Sequence, residues 1–185
     1  MDDDQAIHRL KGGDISGLDN LVTRYQNKAV RMAFLVTQDE PMAEDVVQDV
    51  FVRVYQRIRH FDETRPFEPY LMRSVLNAAL NAVQKGSKWA PASASNDMDA
   101  LENLLVEAAS VGDQVEFNQC KQEILAALRK LPPRQRAAVV QRYYLGLSEK
   151  EMSESLLAPA GTVKWLLNAA RTRLRTLLRS QRRLL

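Results

Sequence analysis

An all-α protein of two small helical domains is expected from this chain, for three reasons. Apolar residues recur at three-and-four spacing over long stretches. Gly and Pro are sparse, seven each in 185 residues, and β-branched alternation is nearly absent. A small, polar, Pro-containing stretch then separates two periodic regions. With 45% hydrophobic residues the chain can bury a core. The expected organisation is a domain over 1–88, a flexible acidic linker over 89–113 and a second domain over 114–185.

The first helix is expected from Asp2 to Lys11, stopped by Gly12-Gly13. A second runs from Ser16 to Thr37, with Leu18, Leu21, Val22, Tyr25, Ala29, Met32 and Ala33 as its apolar side. Gln38-Asp39-Glu40-Pro41 breaks and restarts the chain, since Pro and acidic residues suit a first helical turn. The third helix, Met42 to His60, has the cleanest stripe: Val46, Val47, Val50, Phe51, Val54, Tyr55 and Ile58. A loop from Phe61 to Glu68 precedes a fourth helix, Pro69 to Lys85, whose apolar side includes Tyr70, Leu71, Val75, Leu76 and Ala79.

Within the linker, Asn96 is placed to cap a short helix through Ala109. The second domain opens near Gln114 with an amphipathic helix carrying Val115, Phe117, Ile124, Leu125 and Leu128. Cys120 on this helix is expected to be a small buried hydrophobe. Pro132-Pro133 ends it and starts the next helix, Arg134 to Leu145, which Gly146 stops. Ser148 with Glu151 forms a capping box for a further helix. Leu157-Ala158-Pro159-Ala160-Gly161 is a turn, and a last helix runs from Gly161 or Thr162 toward Arg183.

Charge is divided unevenly. Residues through Gly112 hold 12 basic against 17 acidic residues, and those from Asp113 hold 14 against 6, giving −5 and +8. A basic back half implies a polyanionic partner. Helix, turn, helix, tight turn and basic helix is the order that seats one helix in a DNA major groove. On the last helix Val163, Leu166, Leu167, Ala170, Leu174, Leu177 and Leu178 share one side, and Lys164, Asn168, Arg171 and Arg175 line another. Thr162 and Trp165 flank that stripe. Lys and Arg there would neutralise phosphate, Asn168 would read an adenine edge, and Thr162 or Trp165 would meet a thymine methyl. A solvated basic face on a packing helix is the plain alternative. Arg179, Arg182 and Arg183 suit loose phosphate contact or a frayed end.

No catalytic constellation, phosphate-cradling glycine loop or metal-type spacing is present; His8 and His60 lie far apart. The chain is therefore expected to be no enzyme, to need no cofactor and to take no small-molecule substrate. The N-terminal Asp2-Asp3-Asp4 lacks a basic-then-apolar signal, and no apolar run nears the roughly 20 residues that span a bilayer. A cytoplasmic protein without direct membrane insertion is expected.

Ala43-Glu44-Asp45-Val46-Val47-Gln48-Asp49-Val50-Phe51 resembles the A-E-D-x-x-Q-[ED]-x-F signature of bacterial RNA polymerase sigma factors of the extracytoplasmic-function (ECF) class, in the sigma-70 family. Leu131-Pro132-Pro133-Arg134-Gln135-Arg136, Gly146-Leu147-Ser148 and Gly161-Thr162-Val163-Lys164 resemble the same class, in the right order and over essentially the whole chain. The resemblance implies that the first domain holds core RNA polymerase and opens the minus-ten promoter element, while the second binds the minus-thirty-five element as duplex. It implies polymerase contact through Asp45, Gln48, Asp49 and Arg53, where carboxylates and an amide accept bonds from a partner's arginines. A solvated face with a local Asp49–Arg53 pair is the alternative there. It also implies minus-ten contacts by Phe67, Arg73, Asn77 and Asn81 on or after the Phe61–Glu68 loop, which in the class shapes a pocket for a flipped base. Tyr70 stands where the class usually has tryptophan, and its place on the apolar side favours core.

Trp165, Leu166 and Ala169 replace residues that are polar or basic in the class, which affects the upstream grip. An anti-sigma protein is the further partner that the class implies, and the acidic linker would thread toward the active-centre cleft or serve as a plain tether. Two rivals differ in kind. A conventional helix-turn-helix regulator would bind duplex DNA as a dimer without polymerase. A sigma-like decoy would bind an anti-sigma protein and support no specific transcript.

Overall fold

A computed structural model describes residues 2–86 and 114–182, and every regular element among the described residues is helical. The chain divides into two compact units, residues 1–86 and 87–185. The expected linker, the helix from Asn96 to Ala109, the Cys120 side chain and the Arg179, Arg182 and Arg183 side chains lie outside the described residues.

The first unit contains α1 (Asp3–Lys11), α2 (Ser16–Thr37), α3 (Glu40–Arg57) and α4 (Phe67–Gly86). Asp2 caps α1 by accepting the Gln5 N–H, and Gly13 at φ 91 makes the turn that follows. Asp14 then accepts the Ser16 N–H at 2.9 Å, satisfying a donor that Ile15, at the helix entrance, leaves open. Gly17 lets α1 touch α2: an added Cβ would lie 2.2 Å from the Ala6 carbonyl oxygen. Two turns along, Tyr25, Ala29, Met32, Ala33 and Val36 are buried against α3 and α4.

The third helix begins at Glu40, two residues before the expected Met42, because Asp39 caps it through the Met42 N–H at 2.9 Å with Pro41 in the first turn. It ends as α-helix at Arg57 and tightens into a 3-10 turn over Ile58–His60. Val46, Val47, Val50, Phe51, Val54 and Ile58 are buried, as the periodicity predicts. Tyr55 is not: it is 47% exposed, because Val54 and Ile58 already carry the inward face and the next residue turns about 100° away. The fourth helix starts at Phe67, not Pro69, with Pro69 accommodated in its first turn.

The second unit contains α5 (Gln114–Arg129), α6 (Pro133–Val139), α7 (Glu149–Leu156) and α8 (Ala160–Arg182). Past Val139 the helix widens into a π turn over Val140–Tyr144, where the sequence pattern suggests plain α-helix to Leu145. Gly146, at φ 68, reverses the chain. The capping box forms: the Ser148 hydroxyl accepts the Glu151 N–H, and the Glu151 carboxylate accepts the Ser148 N–H at 2.8 Å. Val163, Leu166, Leu167, Ala170 and Leu174 of α8 pack on α6, α7 and α5. Gln135, Arg136, Gln141 and Ser155 are buried among these apolar groups, and the Gln141 amide donates to the Ser155 hydroxyl at 2.7 Å.

Candidate nucleic-acid interface

The corner where α3 runs into α4 is built by aromatic residues packing beneath a polar loop. The Phe61 ring meets Phe67 edge-on at 5.6 Å and Tyr70 at 5.0 Å, and Tyr25 approaches Phe67 at 5.9 Å. Burial, then its hydrogen bond to Asp3, pushes the Tyr25 phenol up to about 12. Above these rings the loop is folded on itself. Asp62 accepts the Thr64 N–H at 3.0 Å and the Thr64 hydroxyl at 2.7 Å, and pairs with Arg65 at 3.3 Å. The Thr64 hydrogen bonds hold the Asp62 carboxyl below its usual range. From α1, Lys11 donates to the Phe61 carbonyl at 2.7 Å and pairs with Glu63 at 2.6 Å.

This arrangement leaves a cleft of about 440 Å³, walled by Arg57, His60, Asp62, Arg65 and Arg73, with Phe61 and Tyr70 as aromatic surface. A second groove of about 220 Å³ lies between α3 and α4, lined by Arg53, Arg57, Tyr70, Ser74, Asn77 and Asn81. Arg57 and Tyr70 belong to both. Cationic walls beside an exposed ring and paired amides suit an unpaired nucleic-acid strand: phosphate on arginine, base on tyrosine, base edges on asparagine.

The expected minus-ten residues therefore divide. Arg73 lines the cleft, and Asn77 and Asn81 line the groove. Phe67 does not reach solvent; it is 2% exposed inside the aromatic cluster. Phe67 and Leu71 lie four apart on the buried stripe of α4, so the helix turns Phe67 inward. Tyr70, expected in the core, stands at the edge of that stripe and is 37% exposed. Arg57, His60 and Arg65 are cleft residues that sequence reasoning did not single out as site residues. For Arg57 the signal was its spacing of four from Arg53; the loop residues offered none.

Asp45, Gln48 and Asp49 lie exposed on α3, and Val52 and Tyr55 beside them are exposed large side chains. Arg53 sits between that face and the groove: its Nε donates to the Asp49 carbonyl at 3.2 Å, and its guanidinium lies 4.0 Å from the Asp49 carboxylate.

In the second unit Lys164 is exposed, while Thr162, Trp165, Asn168 and Arg175 are half-buried. Arg171 departs from the expected stripe. It is 6% exposed, its Nε donates to the Tyr143 hydroxyl at 3.0 Å, and its guanidinium carbon lies 6.0 Å from the Tyr143 ring centre. Leu167, Leu174 and Leu178 sit four before, three after and seven after Arg171, and all are buried, so this helical position borders the core. Leu166 and Ala169 are likewise taken up by packing. Burial, then nearby Arg129, pushes Arg136 down to about 10, and its Nε has no hydrogen-bond partner among the described residues.

Residues 21–89 match the family model for sigma-70 region 2, and residues 121–174 match that for sigma-70 region 4. The chain is 27% identical over 179 residues to the ECF RNA polymerase sigma factor SigW of Bacillus subtilis (strain 168), covering 95% of this chain and 96% of that protein. It is 28% identical over 173 residues to the ECF RNA polymerase sigma-E factor of Escherichia coli (strain K12), covering 89% and 87%. Among solved structures, CnrH in complex with the cytosolic domain of CnrY has a similar fold, with a TM-score of 0.63, 22% identity and coverage of 96% and 97%. The sigma factor RpoE in complex with the anti-sigma factor NepR from Bartonella quintana gives 0.61, 18%, 87% and 96%.

Proposed function

The chain belongs to the ECF class of the sigma-70 family, and from that membership we propose how its two units divide promoter recognition. The protein binds core RNA polymerase and directs promoter-specific transcription initiation. Bond formation in RNA belongs to the polymerase, so the sigma subunit supplies binding energy and position.

In the first unit the exposed Asp45, Gln48 and Asp49 face, with Val52 and Tyr55, holds the polymerase. Apolar groups flanked by acceptors fit a basic partner surface. The cleft receives one unpaired base of the minus-ten element against Tyr70, and Arg57, Arg65 and Arg73 neutralise the adjoining phosphates. Asn77 and Asn81 meet the following bases along the groove. In the second unit Lys164 touches backbone phosphate, Asn168 and Trp165 face base edges, and Arg171 braces the helix from within. Of the proteins of similar fold, CnrH is bound to the cytosolic domain of CnrY and RpoE to the anti-sigma factor NepR, which supports an anti-sigma protein as a partner here too. No helix among the described residues is long and apolar enough to cross a membrane.

The observation that carries this function is that the arginine-walled cleft and the asparagine-lined groove share Arg57 and Tyr70. Run-off transcription with core polymerase should yield specific start sites. Tyr70→Ala and Asn77→Ala should each slow promoter opening by about tenfold, since stacking one base, or hydrogen-bonding its edge, is worth roughly 1–3 kcal/mol. Absence of any specific transcript would favour the decoy. Opening unaffected by both substitutions would remove the cleft from the mechanism.

A further inference from the structure

We propose that Lys11, on the N-terminal helix, is a positioning residue that fixes the shape of the minus-ten cleft and thereby its choice of base. This rests on the assignment of that cleft to an unpaired promoter base.

Phe61 lines the cleft, as do His60 and Asp62 on either side of it in the chain. Its ring is held from below by Phe67 and Tyr70. Its carbonyl is held by Lys11 at 2.7 Å, across fifty positions of sequence. The same ammonium pairs with Glu63 at 2.6 Å, one residue beyond Asp62. Lys11 thus grips the loop at two points, on either side of the residue that folds it through Thr64.

A grip is useful only if the gripping residue is itself fixed. Ala6, Ile7 and Leu10 bury one side of α1, and the glycine contact at Gly17 admits no sideways shift toward α2. At the other end of the helix Asp3 binds Arg24 and Tyr25 of α2. The helix is therefore tied at both ends, to α2 through Asp3 and to the loop through Lys11. The Lys11 side chain is only 23% exposed, so this is more than a solvated surface pair. A pocket discriminates among bases only if its walls hold position, because a wall that moves accommodates the wrong edge at little cost.

The test uses holoenzyme assembled from core polymerase and the full chain. Labelled non-template-strand oligonucleotides spanning the minus-ten element are substituted one position at a time with each of the four bases. Lys11→Met should compress the discrimination at a single position by about tenfold, the equivalent of roughly 1.4 kcal/mol. Affinities for substitutions at other positions should stay within about threefold. Lys11→Arg, which keeps a donor and a positive charge, should restore the preference. Glu63→Gln, which leaves the carbonyl bond intact, should give an intermediate loss, and it decides the matter if Lys11→Met fails to fold.

A uniform loss at every position, or unchanged discrimination in a folded Lys11→Met protein, overturns the proposal. Arg57→Ala separates the two levels. If Arg57→Ala weakens binding while Lys11→Met changes nothing, only the positioning role is lost. If Arg57→Ala leaves every affinity unchanged, the assignment of the cleft falls and the positioning role with it.

Discussion

Leu157 occupies a left-handed backbone conformation, φ 49 and ψ 45, at the turn into the last helix, and is 90% exposed. A branched aliphatic residue gains nothing there: its side chain buries little, and its Cβ crowds the following carbonyl. Asparagine tolerates this conformation by bonding its own backbone. Leu157→Asn should stabilise the protein by about 1 kcal/mol in denaturant unfolding, with transcription from a cognate promoter unchanged. Arg171 is the opposite case, a polar residue held inside. Its contact with Tyr143 makes it a brace, so its charge should count little toward DNA. The slope of log affinity against log salt should fall by about 0.9 in Lys164→Ala holoenzyme on duplex upstream element. In Arg171→Met the slope should stay, and thermal stability should drop instead.

At the scale of elements the seat of α1 on α2 is the most constrained contact. Gly17→Ala puts a Cβ 2.2 Å from the Ala6 oxygen and 2.9 Å from the Leu10 nitrogen, so the helices must separate. A cost of about 3 kcal/mol in unfolding free energy is expected, the upper part of the overpacking range. Features of this kind also show what a sequence can reveal. The Ser148–Glu151 cap is a local bond between residues three apart, and it was readable directly. The buried stripes of α3 and α8 were readable because one helical period governs them. The inward turn of Phe67 depended on a helix start two residues before the expected Pro69, whereas Tyr70 stands at the edge of the buried stripe, where the helical period alone does not decide. The grip of Lys11 on Phe61 spans fifty residues and leaves no periodic trace. Arg171 sits where polar and apolar arcs of one helix meet, and only the position of Tyr143 on another element decides which it joins. The family motifs supplied the polymerase and promoter roles, which no spacing rule yields alone.

For the whole molecule, the uneven charge and the two units lead to the expectation of a bivalent reader whose separate contacts are weak. Core polymerase holds the units near DNA and converts the second contact into an intramolecular one. Promoter affinity measured with core polymerase should therefore exceed that of the chain alone by about 10²–10⁴-fold. A conventional dimeric regulator would show no such dependence. The shared membership of Arg57 and Tyr70 in cleft and groove carries this further. A mutation at either residue would loosen the hold on two neighbouring nucleotides together, since a phosphate contact and a stacked ring act on any base. Variants at that step would then lower use of every promoter the protein serves at once and leave the preferred letters in place.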